Sequence, residues 1–398
     1  MLIKNIIAVF CIAFILYSCK DKKLTCEVIK INPFDAKEEI NLSEFVDSIK
    51  LIRLQTDSNC VMGRIKEIII KEKYIYALDV SQGIVFVFDK KGKYIAKLDK
   101  RGKGPDEYLY IGPIFIPENE EFIKIINFKG KETKLQTYSN ITFNLLEKSS
   151  MPRISANSCK NENGTYYFAT QQIENTFNGK STNASILAVK NGKIERKIFD
   201  KNIITQHTSF SPNNECFTKN DKGELFVSIM YDNTFYELRD MNAKPILNVD
   251  FGKFGINNSI GFKSIEEQQK YLKSANGLAT FPVLNVFNSN ILAFSYSLQE
   301  NKDRLSLYQY IKIIKINKTF HTKKITNDIT SFPDKVYLST YHCGISHEVW
   351  YKDYLVDIVQ PSYYFSDGDT KYTIEGLGGI TAEDNPIIVL LKIKGELK

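Results

Sequence analysis

Hydrophobic positions along this chain fall in short runs, and the clearest set lies between Gly63 and Tyr108. Four runs follow one another there: Ile65–Ile70, Tyr74–Leu78, Ile84–Phe88 and Tyr94–Leu98. Lys71-Glu72-Lys73, Ser81-Gln82-Gly83 and Lys90-Lys91-Gly92 separate them. Runs this short, rich in Ile, Val, Tyr and Phe and bounded by charged or glycine turns, predict antiparallel strands rather than helices. Four consecutive strands in so short a stretch predict one blade of a propeller, provided the pattern recurs.

It does recur. A second blade is predicted over Ile111–Glu147, with runs at Ile114–Ile116, Phe122–Asn127, Leu135–Tyr138 and Ile141–Leu146. A third spans Pro152–Asp200, where Asn191-Gly192 is a strong hairpin turn. A fourth covers Thr208–Gly252, a fifth Thr280–Thr330, and a sixth runs from Lys335 to the end. The fold class is therefore all-β, a six-bladed β-propeller, with one interruption. Ser264-Ile265-Glu266-Glu267 is a capping box, and a helix over Ile265–Lys273 follows, stopped by Asn276-Gly277. This helix is either an insertion between blades or a lid over one face. Ser48–Leu54 alternates in part and predicts a strand that closes the ring by completing the last blade.

Particular residues carry a family resemblance. Tyr74-Ile75-Tyr76-Ala77-Leu78-Asp79, then Val85–Ile95, then Gly102-Lys103-Gly104-Pro105-Asp106-Glu107-Tyr108 resemble an NHL-type propeller repeat. More narrowly they resemble the six-bladed β-propeller lipoproteins of Bacteroidetes, as do Asp232–Leu238 and Glu383-Asp384-Asn385-Pro386 before Ile387–Ile393. The chain departs at Asp106, where that family has a second glycine after the proline. The resemblance implies a fold and a cell-envelope location, and no established activity.

The N-terminus reads as a processing signal. Lys4 precedes the apolar run Ile6–Leu16, too short to span a bilayer, and Leu16-Tyr17-Ser18-Cys19 has the form of a lipobox. The expected organisation is a leader over 1–18, a tether over 19–39 beginning with lipid-modified Cys19, and the propeller over 40–398. This predicts a protein of the bacterial cell envelope, anchored by lipid and placed at the outer membrane, on its periplasmic or its surface side.

Charge changes the picture little. The formal net charge is +7, or +6 once Lys4 leaves with the leader, and the lysines are dispersed. No basic block or reading module appears, so nucleic acid is not an expected partner. Seven cysteines are present; after Cys11 and Cys19 are set aside, Cys26, Cys60, Cys159, Cys216 and Cys343 remain. Their spacing forms no disulfide framework, and buried free thiols are expected, with a Cys26–Cys60 bridge as an alternative.

Candidate chemistry is sparse. No hydrolase elbow, His-Glu-x-x-His motif or phosphate loop occurs, and Gly102–Pro105 reads as an inter-blade turn. The densest stretch is Tyr341-His342-Cys343-Gly344-Ile345-Ser346-His347-Glu348. His342, His347 and Glu348 have metal-ligating side chains and could face one another if Cys343–Ser346 is a hairpin loop. A polar hairpin without metal is the competing reading, and no cofactor is expected. Ser366–Thr370 reads as a turn with solvated acids, and Asp79, Asp89 and Asp99 as strand-end turn residues.

Three functions are compatible with these residues. The first is a non-enzymatic binding module for a glycan, a peptide or a protein partner, because propeller loops converge around a central channel without any local motif. The second is a hydrolase or lyase with a metal-assisted site at the channel, built from His342, His347, Glu348 and His207. A scaffold in an envelope complex is a third. Exposed aromatics would favour a glycan, and an apolar patch with a polar rim a protein.

Overall fold

In the computed structural model, the structure describes residues 26–129, 132–171, 173–200, 215–365 and 372–395. Six antiparallel sheets follow one another along the chain as the blades of a closed propeller. Blade 1 holds Ile65–Ile70, Tyr74–Asp79, Ile84–Asp89 and Tyr94–Leu98, from the channel outwards. Blades 2 to 5 span Ile111–Met151, Ser158–Ile198, Phe217–Asp250 and Leu278–Thr326 in the same order. Blade 6 takes Trp350–Tyr351, Tyr354–Val359 and Ile387–Ile393 from the C-terminal end and Val46–Arg53 from the N-terminal end.

Middle strands such as Tyr74–Asp79 and Ile84–Asp89 are nearly continuous apolar runs because both their faces are covered. Ile75 and Ala77 point toward blade 6, where they meet Val356, Ile358 and Ile388. Tyr76 and Leu78, the alternate positions, pack on Ile123, Ile125 and Tyr138 of blade 2. This period-two division repeats at every junction and yields one core cluster between each pair of neighbouring blades.

Ring closure is antiparallel, with Ile49 opposite Leu391 and Ile52 opposite Ile388. The N-terminal segment does more than close the ring. Glu27–Lys30 adds a parallel strand to the outer edge of blade 4, and Lys37–Asn41 one to blade 5. Residues 27–41, assigned from the sequence mostly to a tether, are thus part of the disc. Only alternate side chains of such an edge strand meet protein, so its sequence stays polar: in Glu27–Lys30 Ile29 is buried and Val28 exposed. Cys19 and the rest of the expected tether up to residue 25 lie outside the described residues, as do Thr208, at which the fourth blade was expected to begin, His207 and Ser366–Thr370.

The predicted helix forms over Ile265–Ser274 with its capping box in place: Ser264 Oγ accepts from the Glu267 N–H, and the Ser264 N–H donates back to Glu267 Oε2. It sits in the connection from blade 4 to blade 5. The five cysteines in the described residues are all free, so no Cys26–Cys60 bridge forms. Asp106 does not adopt a left-handed backbone, and its departure from the family pattern costs no strain. Instead Glu107 Oε2 accepts the Gly104 N–H at 2.6 Å and closes the turn. Asp79, expected to be a turn residue, accepts N–H bonds from Gly63, Ser81 and Gln82 while fully buried.

Candidate functional site

Antiparallel blades divide their turns between two ends of the channel. The turns joining first to second strands gather at one end, and there a cavity of about 730 Å³ opens. Lys71 and Glu118 enter it from the first turns of blades 1 and 2, Asn163 and Gly164 from blade 3, and Lys222 and Gly223 from blade 4. The connections between blades, including the one carrying the helix, gather at the opposite end. The helix is therefore an insertion between blades and not a lid over this mouth.

The inner strands place charges of both signs along the wall. Lys160 of blade 3 reaches across the channel to Glu67 of blade 1, 2.6 Å away, and lies 3.5 Å from Glu215, just ahead of blade 4. These side chains are 16%, 11% and 5% exposed respectively. Burial alone would lower the Lys160 ammonium, but Glu67 and Glu215 override it and hold it well above the ordinary lysine range. Glu215 sits above the usual carboxylate range, because its burial outweighs the neighbouring lysine. The cluster is a fixed strut across the ring.

Lys219 and Glu348 stand differently. Among the described residues Lys219 Nζ donates only to the Asn161 carbonyl, at 2.8 Å, and burial pulls its ammonium downward against the field of Glu348. Glu348 is exposed in the mouth and makes no hydrogen bond or close ion pair among the described residues. Below them the channel narrows to about 10 Å³, lined by Asn285, Thr340 and His347 among others, room for about one water. His347 is 4% exposed, and neither ring nitrogen has a well-formed hydrogen bond among the described residues; burial keeps it neutral.

The hairpin expected near Cys343 forms, with a tighter turn than anticipated: Tyr341–His342 pairs with Ile345–Ser346 around Cys343-Gly344. It inserts beside the inner strand of blade 1, with Ser346 opposite Glu67. His342, His347 and Glu348 consequently separate. His342 turns to Asp357 of blade 6, with Nδ1 2.7 Å from Oδ1, while His347 faces the narrow channel and Glu348 the mouth. Among the described residues no group of three His, Cys, Asp or Glu side chains is placed to hold a metal. Asp357, Lys160, Glu67, Glu215 and Lys219 were not singled out from the sequence. The available signal was a lone carboxylate inside an apolar strand: Asp357 within Leu355–Val359, and Glu67 within Ile65–Ile70.

The His342–Asp357 pair predicts a pH dependence. Burial would lower the imidazole, but the Asp357 carboxylate raises it from 6.5 to about 10. The folded-state value lies above the unfolded one, so the stabilisation is complete below about pH 6.5 and is lost as pH rises toward 10. Urea unfolding at pH 6 and pH 10 should show a loss on the order of 2 kcal/mol that is absent in His342→Gln. Equal slopes in the two proteins would show that the pair contributes no linked stability.

A closed six-bladed propeller with a charged channel mouth is the class that fold and site define. Residues 26–392 match the family described as Domain of unknown function (DUF4934), and the chain belongs to that family. No curated protein has a matching sequence. Two of the solved structures that share the fold are from Bacteroides. One is a Bacteroides fragilis protein described as a candidate for export, 16% identical, with a TM-score of 0.64 over 93% of this chain and 100% of that one. The other is a duf4221 family member from Bacteroides vulgatus, 10% identical, with a TM-score of 0.52 over 88% of this chain and 98% of that one.

Proposed function

We propose that this protein is a lipid-anchored binding propeller of the cell envelope, whose channel mouth takes up, without acting on it, a short peptide that carries both charges. The observation that carries the reading is the pairing of an exposed carboxylate, Glu348, with an ammonium left largely uncompensated, Lys219, inside a cavity of about 730 Å³. Parts of the ring well separated in sequence bring these groups together before any ligand arrives, which lowers the ordering cost of binding. A neutral glycan is less well matched, since Phe115 and Tyr166 pack edge to face, 5.0 Å apart, and offer no open platform. A large protein surface is less well matched because charges of both signs, Lys71, Glu118, Lys222 and Glu348 among them, are spread between the apolar residues of the lining.

The test is a comparison of a charged-peptide library with a glycan array on full-length protein purified in detergent. Peptides bearing both charges should be retained, with affinity falling about tenfold in Glu348→Ala and in Lys219→Met, a loss of roughly 1.4 kcal/mol each. Binding of neutral glycans alone, or peptide binding indifferent to both substitutions, would overturn the proposal. The anchor is tested separately. Cys19→Ser should fold normally yet leave the membrane fraction almost completely, because multiple acyl chains hold far more firmly than one. Persistence of the variant in a salt-washed membrane pellet would exclude lipidation at Cys19 as the anchor.

A further inference from the structure

At the opposite end of the channel from the mouth, three side chains form a relay that the binding reading does not use. Cys343 and Gly344 both hold left-handed backbone angles, φ 49° and 80°, as the tight turn of the Tyr341–Ser346 hairpin requires. The turn folds Cys343 Sγ back over its own neighbour, 3.4 Å from His342 Nε2. The other ring nitrogen, Nδ1, faces Asp357 Oδ1 at 2.7 Å. Asp357 is fully buried and is itself held, with Oδ1 accepting the Ile358 N–H at 2.8 Å and Oδ2 the Tyr337 N–H at 2.9 Å. The Tyr337 ring packs against the imidazole, centroids 4.4 Å apart.

Each atom therefore has an assigned direction. The carboxylate cannot rotate without losing two backbone N–H bonds, so it fixes which imidazole nitrogen it engages. That leaves Nε2 for the sulfur. A purely structural His–Asp pair needs no thiol on its remaining nitrogen. Cys60, Cys159 and Cys216 are all buried, whereas Cys343 is partly exposed at the hairpin tip. The titratable groups around the pair are Tyr337 and Tyr364, whose phenols burial keeps protonated, and His347, which burial keeps neutral. An imidazolium beside sulfur stabilises the thiolate, the form that attacks carbon.

We propose that Cys343 is an activated nucleophile for acyl groups, with His342 as its acid–base partner and Asp357 as the residue that orients His342. The substrate class is an ester or thioester with a good leaving group. Sγ, as thiolate, forms a bond to the carbonyl carbon, and the tetrahedral adduct collapses with cleavage of the bond to the leaving group. The leaving group departs with the proton from His342 Nε2. Water then attacks the resulting thioester while Nε2 takes its proton, the C–S bond breaks, and the thiolate–imidazolium pair is restored. The chemistry needs no oxidant or further reactant.

The test uses full-length protein in detergent with iodoacetamide and 4-nitrophenyl acetate as probes. Iodoacetamide should modify Cys343 at pH 6 at least tenfold faster in the wild type than in His342→Gln or Asp357→Asn. With 4-nitrophenyl acetate, a nitrophenolate burst equal to the protein concentration should appear, and peptide mass spectrometry should find acetyl on Cys343. Cys343→Ser should lose the burst. The same alkylation rate in all three proteins would overturn the proposal, and so would fast alkylation with no acetyl trapped on Cys343. Wild type and Cys343→Ser alone decide the acyl step, so a folding defect at position 342 or 357 does not remove the test. Peptide binding at the mouth involves neither Cys343 nor His342, so the two proposals fail independently.

Discussion

Replacing Lys160 with methionine should destabilise the protein by about 3–5 kcal/mol, the cost of leaving buried charges without their partner. Lys160 Nζ stands within 4 Å of carboxylates from two other parts of the ring, Glu67 at 2.6 Å and Glu215 at 3.5 Å. Methionine has nearly the same volume, so packing changes little while two acids face each other across a narrow channel. Urea unfolding of the full-length protein at pH 7 measures the loss. Adding Glu67→Gln and Glu215→Gln to Lys160→Met should recover much of it, because the neutral cluster no longer carries an uncompensated charge. The deficit of the single variant should also shrink as pH falls, because Glu215, raised by burial, takes up a proton more readily than an exposed carboxylate. A loss below about 1 kcal/mol would place the cluster among solvated surface pairs, whose contributions are of that size.

Ring closure should be the other point of failure. Phe45, Val46 and Leu54 flank or belong to the closing strand and are fully or almost fully buried, and Phe45 packs on Phe320 of blade 5 with centroids 5.2 Å apart. Phe45→Ala should cost about 3–5 kcal/mol, the usual penalty for emptying an aromatic site in a core. Deleting residues 46–53 should yield no soluble protein, since it bares Ile387–Ile393, a flat apolar strand with an open hydrogen-bonding edge. By contrast, Val28→Ala, at a side chain 53% exposed on the blade 4 edge, should change stability by less than about 0.5 kcal/mol. Soluble expression and urea midpoints of these variants separate closure from edge decoration. A soluble, cooperatively unfolding protein without residues 46–53 would show that the ring holds without its N-terminal strand.

The two ends of the channel differ in kind. At the mouth, charges of both signs are spread over a wide cavity and none is aligned with a nucleophile, an arrangement suited to recognition. At the far end the groups are few, mutually oriented and set at hydrogen-bond distance, an arrangement suited to proton transfer. The Lys160 strut lies between them and links blades 1 and 3 with the approach to blade 4, so loosening it should disturb the mouth before the hairpin.

What the sequence determined by itself was the blade. Tyr74–Asp79 and Ile84–Asp89 read as strands because both faces pack against neighbouring sheets, and a run buried on both sides has no polar positions to blur it. The capping box at Ser264 and the hairpin turn at Asn191-Gly192 were legible for the same reason: their chemistry is local. The closing strand could be read because half its side chains enter a core. Ile65–Ile70 was legible although it lines the channel, but not every inner strand was. Ser158–Glu162 forms the inner strand of blade 3 from Ser, Cys, Lys, Asn and Glu, since one of its faces meets the channel and not a sheet. Glu27–Lys30 was hidden likewise, as an edge strand with one buried side chain. The site was set by tertiary structure alone. Glu67, Lys160, Glu215 and Glu348 are scattered along most of the chain, and only closure of six blades into a ring turns their strands inward to a common axis. His342, His347 and Glu348 are neighbours in sequence yet part company, because a two-residue turn and the buried carboxylate of Asp357 decide where each side chain goes.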